Sequence, residues 1–170
     1  MKTKETVMAG LFIAMGIVLP SFLHLLGMGK SFLPMHIPVL MAGITLGGSY
    51  GLTVGTVTPL LSFLLTGMPP FPGVIGMVFE LGTYGFLTGF LSKKINIYGS
   101  VLIAMICSRV VLGIIYYLLL PLFAVRISFW YPLTGAFISS LPGIICQLAL
   151  LPVFLVISKY KKIRGGEKYE

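Results

Sequence analysis

Two ionisable residues, Glu80 and Arg109, each lie inside a long apolar stretch of this 170-residue chain. A charged side chain at the centre of a bilayer costs about 2.5–3.5 kcal/mol on insertion scales, so such residues usually face a bundle interior and pair with one another. At about 1.5 Å per residue, Glu80 lies about 10 Å and Arg109 about 16 Å from the same end of their predicted helices. We therefore predict an ion pair that either ties two helices together or contacts an anionic or carbonyl-bearing ligand.

Aromatic hydroxyl groups and a second arginine lie near this pair along the sequence. Tyr84 lies one helical turn from Glu80, and Tyr116 lies two turns from Arg109, so both can add ring surface and a hydroxyl. Arg126 follows in the next predicted loop and is the alternative cation for an anionic ligand.

Two proline-rich segments flank the predicted helices at the same, outer end of the molecule. Residues 32–38 place His36 between Pro34 and Pro38, and residues 66–72 contain three prolines. Proline fixes φ and removes a backbone donor, so the second segment has a stiff, non-helical shape. We interpret it as a lid over a cavity, or alternatively as a loop among lipid headgroups. His36 is interpreted as either a structural histidine or a ligand contact at this outer mouth.

The composition defines the class of protein that must position these residues. Hydrophobic residues make up 57% of the chain and charged residues 9%, and the mean hydropathy is +1.04, which leaves too little polar surface for a soluble globule. We predict an all-α integral membrane protein, a six-helix bundle in a single domain over residues 1–170. The predicted helices span residues 6–26, 37–48, 51–65, 73–91, 100–120 and 133–158, followed by a basic tail at 159–170.

Glycines mark the second and third predicted helices. Gly43, Gly47, Gly51 and Gly55 recur every fourth residue and predict close backbone packing. Residues 48–51, Gly-Ser-Tyr-Gly, are a turn signal, so we predict a tight turn there rather than one fused span.

The distribution of basic residues predicts the orientation. An even number of helices brings both basic termini to one side, where the Lys and Arg residues of the short loops also concentrate, and this side is expected to be cytoplasmic. The net charge of +8 then reflects topology and affinity for anionic lipid headgroups rather than nucleic-acid binding.

The sequence lacks the motifs that are typical of several classes of enzymes, metal-binding proteins and ion-driven carriers. The chain has no His-Glu-x-x-His, Gly-x-Ser-x-Gly or P-loop motif, so we expect a protein that is not an enzyme. Cys107 and Cys146 lie in apolar stretches without metal-ligand spacing, and we expect neither a metal nor a cofactor. If the chain moves a solute against a gradient, it needs an ion gradient or a separate ATPase. A single intramembrane carboxylate argues against an ion-driven carrier.

Small residues cluster on the first predicted helix. Gly10 and Ala14 form a small-xxx-small pair that lets another helix approach closely, and Ala9 broadens this surface. The pair indicates either packing within the chain or a docking surface for a second membrane subunit.

The chain resembles the substrate-binding (S) components of energy-coupling factor (ECF) transporters, the vitamin-uptake systems of prokaryotes. The resemblance covers nearly all of the sequence and rests on the six helices, the small-residue face and several short motifs. These motifs are Leu33-Pro-Met-His-Ile-Pro-Val-Leu-Met-Ala-Gly, Gly51-Leu-Thr-Val-Gly, Pro59-Leu-Leu-Ser, Thr66-Gly-Met-Pro-Pro and Glu80-Leu-Gly-Thr-Tyr-Gly.

The resemblance implies a multi-pass protein of the prokaryotic cell membrane that captures a vitamin outside and docks on a transmembrane coupling subunit driven by two ATPase subunits. The docking face of the family is alanine-x-x-x-alanine on the first helix, where this chain has Gly10 and Ala14 with Ala9 beside them. The family's substrate site lies toward the outer side. Its counterpart positions here contain His36, Met68, Glu80, Tyr84, Arg109, Tyr116 and Arg126.

The motifs around His36 and over residues 66–70 are similar to those of predicted pantothenate components, which makes pantothenate the expected ligand. Pyridoxine, a hydroxymethylpyrimidine and other small vitamin precursors are the alternatives within the family. A stand-alone secondary carrier, which responds to an imposed ion gradient, and a membrane assembly factor, which binds no vitamin, are the alternatives from other classes.

Overall fold

The computed structural model describes residues 2–25, 34–123, 145, 147–149 and 152. In this part of the chain every regular element is a helix, which confirms the all-α prediction there. The elements are α1 (Lys2–Leu25), α2 (His36–Leu46), α3 (Gly48–Thr66), α4 (Gly73–Leu91) and α5 (Ile97–Leu119), followed by a 3-10 helix at Leu120–Phe123.

Four of the described helices are long and apolar enough to cross a membrane. Their candidate spans are Thr3–Phe22, Gly48–Thr66, Gly73–Leu91 and Ile97–Leu119. The fifth, α2, has 11 residues, so it rises about 16 Å and covers about half of a ~30 Å hydrocarbon core.

The far end of the chain lies largely outside the described residues. Of the predicted sixth helix, 133–158, residues 145, 147–149 and 152 are described, and each is helical. The count of six helices, the tail at 159–170 and the location of the termini therefore stay predictions.

The break between α2 and α3 lies at Gly47. This residue has φ of 99°, a conformation that favours glycine, and its N–H donates to the Gly43 carbonyl at 3.0 Å. One residue in this conformation is enough to end α2, and Gly48 already begins α3. The predicted turn over residues 48–51 is therefore wrong, because these residues form the first turn of a 19-residue helix.

Glycines bring α2 and α3 into backbone contact with α4. A Cβ atom on Gly43 would lie 2.6 Å from the Gly85 carbonyl oxygen, and one on Gly55 would lie 2.6 Å from the Leu81 carbonyl carbon. Only a hydrogen atom fits at these positions, which confirms the close packing that the glycine spacing predicts.

Helix α4 is the central element of the described bundle, since it packs against α2, α3 and α5. It runs antiparallel to α5, because Gly76 near its start faces Tyr116 near the end of α5. It runs parallel to α2, whose Gly43 faces Gly85 in the second half of α4.

Basic residues collect at one end of these helices. Lys93 Nζ lies beside Gly47 at the α2–α3 break, and Lys94 Nζ lies 4.5 Å from the centre of the Phe90 ring. Helix α1, which begins with Lys2 and Lys4 in its first turn, packs against α2 and α3.

Candidate functional site

Side chains from three helices meet at Glu80 Oε1. Arg109 Nη1 of α5 lies 3.1 Å from this oxygen, and His36 Nε2 of α2 lies 3.5 Å from it. The exposed fractions of His36, Glu80 and Arg109 are 4%, 2% and 8%. The predicted Glu80–Arg109 ion pair is therefore confirmed, and we call the three residues the charged cluster.

The charged cluster lies well inside the bundle. Glu80 follows Gly73, the first residue of α4, by seven residues, and Arg109 precedes Leu119, the last residue of α5, by ten. These separations correspond to depths of about 10 Å and about 15 Å. At such depths each charge needs a partner, and removing one partner leaves the other uncompensated in a medium of low dielectric constant.

His36 belongs to this buried cluster and not to an exposed mouth. It is the first residue of α2, and its contact with Glu80 shows that α2 begins about 10 Å below the start of α4. The sequence motif around His36 does not reveal this depth, because the depth depends on how α2 packs against α4.

The N-terminus of α2 adds a partial positive charge at the same place. Its N-cap residue, Met35, makes no side-chain capping hydrogen bond, and Pro38 in the first turn has no N–H. The backbone N–H groups of His36 and Ile37 thus lack a side-chain cap at the positive end of the helix dipole. Half-helix N-termini at this depth in membrane proteins are suited to anionic groups.

Tyr84 links the charged cluster to Gln147. The ring centroids of His36 and Tyr84 lie 5.5 Å apart, and the Tyr84 hydroxyl donates a hydrogen bond to Gln147 Oε1 at 3.0 Å. Tyr84 and Gln147 are both fully buried. The arrangement places a phenol and an amide next to the charges.

Two buried polar atoms beside Tyr84 are unsatisfied. His36 Nδ1 and Gln147 Nε2 have no hydrogen-bond partner in the part of the chain that the structure describes. An unpaired buried polar atom costs about 1–3 kcal/mol. Such atoms are explained where a ligand or an ordered water completes the network.

The structure brings together four of the seven predicted site residues: His36, Glu80, Tyr84 and Arg109. Tyr116 lies farther out, where its ring packs on Gly76 of α4. Met68 is 44% exposed in the loop between α3 and α4. Arg126 lies outside the described residues.

Gln147 is a site residue that the sequence analysis does not identify. It lies 63 residues from its partner, Tyr84, so no local pattern connects them. The available signal is an amide in an apolar stretch, which is expected to hydrogen-bond across helices.

The loop over residues 67–72 joins the end of α3 to the start of α4. Gly67 ends α3 with φ of 72°, and the Pro70 carbonyl accepts a hydrogen bond from Val74 N–H at 3.3 Å. Phe71 is 53% exposed. The loop is therefore anchored to α4 and presents apolar groups outward; its role as a lid stays a prediction.

The small residues of α1 do not all share one environment. Gly10 and Ala14 are exposed, and a Cβ atom on Gly10 would meet nothing within 4 Å. Ala9 is buried in the core at 6% exposure, because one step along a helix turns the side chain by about 100°. Of the three, only Gly10 and Ala14 lie on an open surface.

Metal binding finds no support among the described residues, which contain no group of three or more His, Cys, Asp or Glu side chains that could hold an ion.

A family model described as ECF transporter, substrate-specific component, matches residues 4–155. Searches of curated proteins and of solved structures find no match. The family match covers all five described α-helices except the first two residues of α1.

Proposed function

The chain belongs to the family of ECF transporter substrate-specific components, and on this premise we propose that it captures a carboxylate-bearing vitamin or vitamin precursor at the charged cluster. A component of this family is a substrate-binding part of a transporter and is not itself catalytic. The four apolar helices among its described residues and the family together make it a multi-pass membrane protein.

The observation that carries this proposal is the position of the charged cluster at the N-terminus of α2, whose N-cap residue makes no side-chain capping hydrogen bond. Arg109 and the start of α2 favour an anionic group, and arginine can bind a carboxylate in a two-pronged geometry. Gln147 Nε2, which is buried without a partner in the described part of the chain, suits a neutral acceptor such as an amide carbonyl or a hydroxyl.

Pantothenate is the ligand we propose first, because it combines a carboxylate with an amide and hydroxyl groups. Pyridoxine and hydroxymethylpyrimidine carry no carboxylate, so neither can place an anionic group against Arg109 and the start of α2. They are the alternative ligands if the charged cluster mainly holds the helices together.

The proposed partners are a transmembrane coupling subunit and two ATPase subunits. The open surface of Gly10 and Ala14 supports α1 as the docking face, since small residues allow close helix approach. The basic end that includes Lys93 and Lys94 supports a cytoplasmic location for that end, in the cell membrane of a prokaryote.

A thermal-shift screen of the detergent-solubilised protein against B vitamins and their precursors tests the proposed function. A ligand at a hundredfold excess over Kd stabilises the folded protein by about 2.7 kcal/mol. We expect a selective shift with pantothenate that is lost in Arg109→Gln. The matched control is Lys94→Gln, which removes an exposed cation from the opposite end and should keep the shift.

The alternative outcomes separate class from substrate. A shift with a different vitamin retains the transport role and replaces the ligand. No shift with any compound, for a sample shown to be folded, contradicts the binding role and favours the secondary carrier or the assembly factor.

A further inference from the structure

The charged cluster is electrically balanced when His36 is neutral. Glu80 contributes one negative charge and Arg109 one positive charge, 3.1 Å apart and almost fully buried. His36 Nε2 faces Glu80 Oε1 at 3.5 Å, which favours the tautomer with hydrogen on Nε2. His36 Nδ1 then carries a lone pair, and it is buried without a hydrogen-bond partner in the described part of the chain.

The groups that face His36 come from two neighbouring helices. Glu80 and Tyr84 face it from α4, and Arg109 of α5 touches the same Glu80 oxygen. The helices that pack nearby carry other titratable residues, among them Tyr50 in the first turn of α3 and His24 in the last turn of α1.

A bound carboxylate disturbs the balance of this cluster. The ligand adds one negative charge, so with His36 neutral the charged cluster and the ligand together would carry a net charge of −1. An uncompensated charge in a water-poor site is costly, and the usual response is a change in protonation. His36 is the group positioned to respond, because Nδ1 can accept a proton and then donate to the ligand.

We propose that the site takes up its carboxylate ligand together with one proton, which binds His36 Nδ1. This inference rests on the proposed function, and it adds proton linkage to it. The proton comes from solvent and forms the Nδ1–H bond. The imidazolium then directs Nε2–H toward Glu80 and Nδ1–H toward the ligand carboxylate, so two cations face two carboxylates.

Proton uptake has a definite sign in the pH dependence of binding. The complex holds one more proton than the free protein, so affinity falls as pH rises, by at most about tenfold per pH unit. A neutral ligand of the same shape adds no charge and should show neither proton uptake nor this pH dependence.

Calorimetry with pantothenate in phosphate and in Tris at one pH tests the proposal. These buffers differ in ionisation enthalpy, so the dependence of the observed binding enthalpy on the buffer gives the number of protons taken up. We expect about one proton for pantothenate, as the net charge requires, and none for panthenol, the neutral alcohol analogue. The control His24→Gln should keep the full proton uptake.

Two variants of the cluster should abolish proton uptake for different reasons. His36→Gln removes the proton acceptor, so pantothenate should bind more weakly and without a proton. Glu80→Gln removes the negative charge beside Arg109, so the ligand carboxylate itself restores neutrality. Whatever binding this variant retains should take up no proton and should depend little on pH. If Glu80 has a purely structural role, Glu80→Gln should leave the number of protons taken up on binding unchanged.

The outcomes distinguish this inference from the proposed function. If the vitamin screen finds no ligand, both fail. If pantothenate, or another carboxylate vitamin from the screen, binds with no proton uptake, or if His36→Gln retains the uptake, the proton linkage alone is overturned. A ligand without a carboxylate also overturns it while leaving the transport role intact.

Discussion

The contact between α3 and α4 holds Glu80 in place, and Gly55→Ala tests this directly. A Cβ atom at position 55 would lie 2.6 Å from the Leu81 carbonyl carbon and 2.8 Å from Gly82 N, with the Leu81 carbonyl oxygen also too close. These atoms follow Glu80 in the same turn of α4. The substitution therefore pushes on the backbone that positions the site carboxylate.

The clash decides the sign of the stability change. Ordinary contacts begin at 3.4 Å, so the Leu81 carbonyl carbon lies about 0.8 Å too close, and backbone atoms on both sides cannot rotate away as a flexible side chain can. Overpacking of this kind costs about 1–3 kcal/mol, occasionally more. Alanine gains at most about 1 kcal/mol from helix propensity. We therefore expect a net loss of up to about 2 kcal/mol of unfolding free energy.

Equilibrium unfolding in mixed micelles measures this loss, and ligand affinity measured on the same sample reports the displacement of Glu80. Gly10→Ala is the matched control, because its Cβ meets nothing within 4 Å and it should be neutral or stabilising by up to about 1 kcal/mol. If Gly55→Ala is as stable as Gly10→Ala and binds ligand normally, the close α3–α4 contact does not exist as described.

Further predictions concern the charged cluster and the α1 surface. Glu80→Gln and Arg109→Gln should each cost about 3–5 kcal/mol of unfolding free energy, because each breaks the buried ion pair by removing one partner. The double variant should cost less than the sum; additive losses in a double-mutant cycle would show that the pair does not interact. Tyr84→Phe should cost about 1–3 kcal/mol, because Gln147 Oε1 loses its donor, and a neutral result in the same unfolding assay would contradict that hydrogen bond. Gly10→Leu should block uptake in vesicles reconstituted with the coupling module while ligand binding persists; equal loss of both would refute docking through α1.

The ion pair was predictable from sequence because insertion energetics require it. Glu80 and Arg109 are isolated charges in apolar stretches, and helix geometry places them at compatible depths. The close glycine packing was predictable for a similar reason, since a four-residue repeat of glycine leaves one helix face without side chains. These inferences use the residue spacing within each helix and the free-energy cost of burying a charge in the membrane. They do not require knowledge of how the helices pack against each other.

The start of α3 shows where a local signal was misleading. Gly-Ser-Tyr-Gly is a plausible turn, but the positive φ is at Gly47, and residues 48–51 continue as helix. The glycines in this segment serve the close approach to α4 rather than a reversal of the chain. A glycine is compatible with both roles, so sequence alone does not assign them.

The sequence by itself determined the class of protein, the helical elements in the described residues and the pairing of Glu80 with Arg109, because the cost of burying charge and the spacing of apolar residues are local properties. Only the tertiary structure placed His36 against Glu80 and Tyr84 against Gln147. Those contacts depend on the depth at which α2 begins and on how distant helices rotate against each other. Both are set by packing between helices, where a shift of one residue turns a side chain by about 100° and carries it out of the site.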